Sequence, residues 1–241
     1  GAVSTVSSED FNGGVISSPE QLIQGKSAGV QISQSSGEPG AGIAVRIRGT
    51  SSVRSNNNPL FVVDGIPLSD GGTAGGADLG GGGGSAKNPL SFLNPNDIES
   101  MTILKDASAT AIYGSRGANG VVIITTKSGK KGAGGVFEFT SSQSHSSVAN
   151  TYDLLDRNQY LGAINQFGGD ANALDFESDT NWQNVIFRNV ISTDNSLSYS
   201  NNYGPGYVRA SFGYVNQQGV LENSSQERIT GRVNASHKFF N

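Results

Sequence analysis

The chain has 241 residues, enough for one large or two ordinary domains, and 16 Lys plus Arg against 20 Asp plus Glu give a net charge of −4. That balance offers no footing for a nucleic-acid partner, and with no cysteine there is neither a disulfide framework nor a thiolate metal site. The 34 glycines are about twice the usual share, which favours β-structure with many turns, or mobile loops. No apolar run reaches the length of a transmembrane helix and no basic-then-apolar leader opens the chain, so it reads as a mature or trimmed segment or as a cytosolic protein.

Residues 1–18 are polar, small and aperiodic, which predicts a flexible lead. Pro19 to Gln24 predicts a helical turn, and Ser27 to Ile32 and Ile43 to Ile47 predict strands. Leu60 to Val63 and Ile66 to Leu68 flank Asp64-Gly65, a tight-hairpin signal. From Ser69 to Pro89 the glycine-rich composition buries almost nothing and predicts a mobile loop. Met101 to Leu104 is a short apolar strand, followed by a small-residue helix over Ala107 to Tyr113 with Asp106 at its N-cap and Gly114 as its stop. Val121 to Ile124 are four apolar residues in succession, as in a strand covered on both faces, so this stretch predicts a β-α-β unit.

Beyond Lys127 the pattern changes to alternation. Phe137 and Phe139 share one face and Val136, Glu138 and Thr140 the other; Leu197 and Tyr199 alternate with serines. Val208, Ala210, Phe212 and Tyr214 alternate with Arg209, Ser211 and Gly213, and Ile229, Gly231, Val233 and Ala235 face away from Arg228, Thr230, Arg232, Asn234 and Ser236. Period-two strands of this length suit a transmembrane β-barrel with lipid on one side and a polar lumen on the other. A soluble antiparallel sheet with one wet face carries the same signature.

Catalytic chemistry has little to build on. The two histidines, His145 and His237, stand in no metal-ligand spacing and near no GxSxG serine. Asp97, Glu99 and Asp106 cluster, but Asp97 and Asp106 occupy positions where helix caps are expected. GSRGANG from Gly114 follows a helix instead of preceding one and lacks GK[ST], which argues against a phosphate loop. Trp182, the one tryptophan, could stack on a sugar ring, while a packing or interface anchor is the plainer reading.

Four blocks, LIQGKSAGVQI from Leu22, GIAVRIRG from Gly42, NPLFVVDGIPL from Asn58 and NDIESMTILKDASATAIYGSRGANGVVIITTKSG from Asn96, resemble in order and spacing the plug domain of TonB-dependent outer-membrane transporters of the SusC/RagA type. DTNWQNVIF from Asp179, LSYSNN from Leu197, SFGYVNQQGV from Ser211 and RITGRVN from Arg228 are similar, more loosely, to that family's first barrel strands. The resemblance implies a flexible lead over 1–18, a plug over 19–132, and the first, truncated barrel strands over 133–241. The fold class it implies is α+β, a small mixed sheet with short helices, followed by antiparallel strands of an incomplete barrel.

The resemblance also implies a function without enzymatic chemistry or cofactor. The parent would import an oligosaccharide or peptide across the outer membrane, with a SusD-like lipoprotein outside and TonB pulling from the periplasm through an amino-terminal segment that this sequence lacks. It implies that Arg48, in RIRG, and Arg116, in GSRG, lock the plug to wall carboxylates beyond Asn241. The loops Thr50 to Asn58 and Ser69 to Asn88 are expected on the extracellular face, with Ser51, Ser52, Arg54, Asn56, Asn57, Asn58, Asp70 and Asp78 as candidate ligand contacts. The competing readings are a soluble, surface-exposed β-rich glycan-binding or adhesin module, whose apolar faces would pack internally, and a hydrolase with a glycine-rich lid, which needs a titratable pair.

Overall fold

The computed structural model describes residues 3–14, 16–34, 36–49, 58–68, 88–105, 111–129 and 134–239. Its strands are β1 (Val3–Ser7), β2 (Val30–Gln34), β3 (Ile43–Ile47), β4 (Leu60–Val63), β5 (Ile66–Pro67), β6 (Ile98–Leu104), β7 (Val121–Thr126), β8 (Val136–Ser146), β9 (Val190–Asn202), β10 (Gly206–Gln218) and β11 (Ser225–His237). They form a five-stranded mixed sheet in the order β1-β6-β7-β4-β5, a β2-β3 hairpin and a four-stranded antiparallel sheet in the order β11-β10-β9-β8.

The mixed sheet is buried because its central strands are apolar on both faces. All four residues of β4 are buried, and Val121, Val122 and Ile124 of β7 are inaccessible. One face packs Met101, Ile103, Val122 and Ile124 against the β2-β3 hairpin, the 3-10 turn Pro19–Ile23 and Leu90 and Leu93. The opposite face is smaller and centres on Leu60, Val62 and Val121, with Leu104 and Tyr113 against them. Asp64 and Gly65, both at positive φ (48° and 85°), turn β4 back into β5 as the dipeptide predicts.

Three features differ from the sequence expectation. The polar lead is not free: Val3–Ser7 pairs antiparallel with β6, Val6 is buried, and Phe11 and Ile16 pack on the core. Val3 and Val6 are too few to show a period in the sequence, yet an unpaired edge of β6 rewards any strand laid along it. Second, β6 and β7 are adjacent and antiparallel, with Met101 opposite Ile124, so the expected β-α-β unit is a reversal instead of a crossover. Gly120, at φ +92°, brings the chain back so close that a Cβ would collide with the side chain of Ile47 and crowd the carbonyl of Leu104. Among the described residues the one parallel pair is β4 with β7. Third, β2 starts at Val30, beyond the Ser27 expected.

Of the expected helix Ala107 to Tyr113, residues 111–113 are helical, and Gly114 follows at φ +63°. Asp106 and its cap lie outside the described residues, as do residues 69–87 of the glycine-rich segment.

The antiparallel sheet is a meander with one long and two short connections. Residues 147–189, between β8 and β9, carry the helix Arg157–Gln166 and the helical turn Trp182–Ile186. Asp156 and Gln159 cap the first reciprocally, and Arg157 holds Asp175 in a two-pronged ion pair at 2.7 and 2.6 Å. Trp182 is exposed, so within this chain it is no packing anchor. No helix among the described residues is long and apolar enough to cross a membrane.

The faces of this sheet are reversed relative to a water-soluble one. Phe137 (73%), Phe139, Leu197, Phe212 (53%), Ile229 and Val233 (74%) are exposed. Ser192, Ser196, Ser198 and Ser200 of β9 and Arg209 of β10 are buried. Burying serine and arginine while exposing phenylalanine is unfavourable in water on both counts. The arrangement is favourable where the outer face meets hydrocarbon and the inner face meets a polar partner.

Candidate functional site

The polar partner of the wall is the mixed-sheet domain, and the two meet through arginines. The strand registers place Arg209, Ser211 and Gly213 of β10 beside Ser200, Ser198 and Ser196 of β9, and Asn234, Arg232 and Thr230 of β11 on their other side. These small and cationic side chains form the inner surface of the wall. Arg209 reaches Asp97 with Nη2 to Oδ1 at 3.3 Å, and Ser211 Oγ donates to Asp97 Oδ2 at 2.6 Å. Both ends of this pair are buried, Asp97 at 4% and Arg209 at 4% exposure.

Asp97 is the last residue of the 3-10 turn Pro95–Asp97, and Asn94, not Asp97, supplies that turn's N-cap by accepting from the Asn96 amide. The capping role expected for Asp97 is therefore filled by its neighbour, which frees the carboxylate for the wall. Asn94 touches the wall as well, donating from Nδ2 to Ser196 Oγ at 3.4 Å.

A second contact uses the hairpin aspartate. Asp64 accepts from the Thr126 amide at 2.9 Å and from Thr126 Oγ1 at 2.7 Å, which ties the β4-β5 turn to the end of β7. The outer lobe of that carboxylate forms an ion pair with Arg232, which also donates to Thr126 Oγ1 at 3.0 Å. Arg228, two register steps further along β11, donates from Nη1 to the carbonyl of Ser91 at 3.2 Å. Three arginines on two neighbouring strands therefore each grip a different point of the inner domain.

A second buried carboxylate of the inner domain takes a neutral donor in place of an arginine. Glu20, in the Pro19–Ile23 turn, is 1% exposed and accepts from Asn88 Nδ2 at 3.0 Å. Burial raises its pKa above the ordinary carboxylate value, against the opposing pull of its hydrogen bond from Asn88. Between the segment that follows β1 and the wall, a cleft of about 400 Å³ opens, lined by Phe11, Asn12, Ser142, Asp194 and Asn216 among others.

A family model described as the TonB-dependent Receptor Plug Domain matches residues 1–121. The chain belongs to this family. It is 39% identical over its whole length to TonB-dependent receptor SusC of Bacteroides thetaiotaomicron, and 38% identical over 231 residues to TonB-dependent receptor P3 of Formosa agariphila. It spans 23% and 21% of the lengths of those two relatives. Among solved structures it superposes on part of the RagAB peptide transporter with a TM-score of 0.82 at 28% identity, covering all of this chain and 29% of that one. These relatives are receptors and transporters, not enzymes, and the fold is a plug with the opening strands of its barrel.

Against this plug and wall, the residues singled out from sequence fall in different places. Arg48 and Arg116 are exposed, Arg48 at φ 59° with its backbone amide bonded to the carbonyl of Gly29 at 2.8 Å. Asn58 is half-buried just ahead of β4. Ser51, Ser52, Arg54, Asn56, Asn57, Asp70 and Asp78 lie outside the described residues. Among the described residues, the ion pairs that join plug and wall run from wall arginine to plug carboxylate, the opposite polarity to the lock expected of Arg48. Sequence reading placed Arg209 and Arg232 on a polar strand face and went no further. An arginine at the centre of an inward face needs a counter-ion, and that signal alone could have prompted a search for Asp97 and Asp64.

Proposed function

We propose that the full-length protein gates a β-barrel in the outer membrane and imports an oligosaccharide or peptide, with TonB acting from the periplasm and a SusD-like lipoprotein covering the outer mouth. The observation that carries this reading is the reversed wall: phenylalanine outside, serine and arginine inside against the plug. A soluble glycan-binding or adhesin module would have to cover Phe137, Phe139, Phe212 and Val233 internally, and in this chain they are exposed. The long connection 147–189 and the short turn 203–205 lie at opposite ends of the wall, and barrels of this class carry long loops outside and short turns on the periplasmic side.

On this reading the plug extends from β1 to β7, and the barrel begins at β8. The loop residues Ser51, Ser52, Arg54, Asn56, Asn57, Asn58, Asp70 and Asp78 are the ligand contacts, since short polar side chains hydrogen-bond sugars and peptides alike. The name of the RagAB relative points to peptide and leaves the choice between the two classes to experiment. In a strain that depends on the full-length receptor for growth on one nutrient, uptake is expected to stop when TonB is deleted. Growth that continues unchanged without TonB overturns the reading.

Arg48 and Arg116 complete the proposal as plug groups that pair with wall carboxylates further along the barrel. Arg48→Ala in the full-length receptor is expected to admit large antibiotics. The same change in residues 1–241 is expected to leave the melting temperature within about 1 °C, because an exposed arginine contributes within about 0.5 kcal/mol. Equal melting shifts in both proteins with unchanged permeability would remove the lock from Arg48.

A further inference from the structure

Arg209 lies between two carboxylates that belong to different bodies. Its Nη2 is 3.3 Å from Asp97 of the plug, and its Nη1 is 3.7 Å from Oε2 of Glu138 on β8 of the wall. Glu138 and Arg209 are on strands separated by β9, at register positions opposite Ser198 and Ser200. The residues opposite them, Ser198 and Ser200, are small and buried, and the guanidinium reaches across the intervening strand. The Nε of Arg209 makes no hydrogen bond although it is buried, so neither acid saturates the group.

Asp97 and Glu138 share one buried guanidinium, Asp97 at the shorter distance. As the plug begins to leave this wall, and before water enters the seam, loss of Asp97 would strand Arg209 as an uncompensated charge, which is the costly part of breaking such a pair. Here a wall carboxylate is already within reach of the same guanidinium. We propose that Arg209 is a transfer latch: it holds Asp97 while the plug is seated and passes to Glu138 when the plug is drawn away. Glu138 is then a positioning residue that acts through Arg209 and sets the rate of plug release. No covalent bond is made or broken in the transfer.

This inference rests on the gated-barrel reading, and the test separates the two. The full-length receptor in lipid nanodiscs is pulled at constant force through a handle at the plug's amino-terminal end, and the rate of plug release is recorded. Asp97→Asn removes the seated partner and is expected to accelerate release. Glu138→Gln removes the receiving partner and is expected to slow it about tenfold, a typical size for coupling between two sites. Glu138→Asp keeps the charge and is expected to restore most of the wild-type rate. With Arg209→Met in the background, Glu138→Gln is expected to have no further effect.

Opposite signs for Asp97→Asn and Glu138→Gln are what a merely structural role of Glu138 does not produce, because a weakened wall would loosen the plug in both. A Glu138→Gln rate equal to or faster than wild type, or a slowing that persists in the Arg209→Met background, overturns the latch. A wild-type receptor whose plug is never released under load would instead overturn the gated-barrel reading itself. Gel mobility of the unheated receptor shows that each variant retains a folded barrel.

Discussion

Arg209→Ala in the full-length receptor is expected to weaken the seating of the plug by about 3 to 5 kcal/mol and to make cells sensitive to antibiotics too large for porins. The magnitude follows from burial at both ends: Asp97 and Arg209 are each 4% exposed, so truncating one leaves the other charged and out of water. Ser211 Oγ, at 2.6 Å from Asp97, compensates a fraction of this as a single neutral donor to a charged acceptor. The double change Arg209→Met with Asp97→Leu is expected to recover much of the loss, since apolar replacement of both partners removes the stranded charge. Wild-type antibiotic resistance in Arg209→Ala, with normal amounts of receptor in the outer membrane, would show that the pair does not seat the plug.

Phe212→Arg is expected to lower the stability of the barrel in lipid by about 2 to 4 kcal/mol, the cost of a cation on the lipid face near the bilayer midplane. Phe212 is at the centre of the outward face of β10, opposite Leu197 of β9 and Gly231 of β11. Gln143→Arg, on the same outward face of β8 but beyond Phe137 and Phe139, is expected to cost no more than about 1 kcal/mol, as near an interface. In a soluble sheet the two changes would be equivalent, because a residue 53% exposed to water tolerates arginine within about 0.5 kcal/mol. Equal unfolding midpoints for the two variants in a urea titration of the liposome-embedded receptor would count against the barrel.

Both results turn on the direction in which strand faces point, and there the linear pattern is silent. Period two separates Arg209, Ser211 and Gly213 from Val208, Ala210, Phe212 and Tyr214 without ambiguity. It does not state whether water, lipid or another domain covers either set. The motif blocks were more informative, because turns and strand limits are local chemistry. Ile43 to Ile47, Leu60 to Val63 and the Asp64-Gly65 reversal are found where the residues put them.

What escaped the linear pattern is set by partners distant in the chain. Val3–Ser7 is a strand because β6, about a hundred residues on, offers it an edge; Val3 and Val6 alone have no such preference. The antiparallel return of β7 depends on Gly120 fitting under Ile47 and Leu104, a close approach invisible until β3 and β6 are in place. Asp97 resembles a helix cap and Asp64 a turn residue in any sequence. Their carboxylates acquire ion-pair partners 112 and 168 residues away only when the wall closes over the plug. Sequence by itself determined where the central strands and the Asp64-Gly65 hairpin lie and that two kinds of strand pattern follow one another. Tertiary structure decided which faces are buried and which charges meet, because burial and long-range pairing are properties of the packed whole, and no local window of the chain contains both partners.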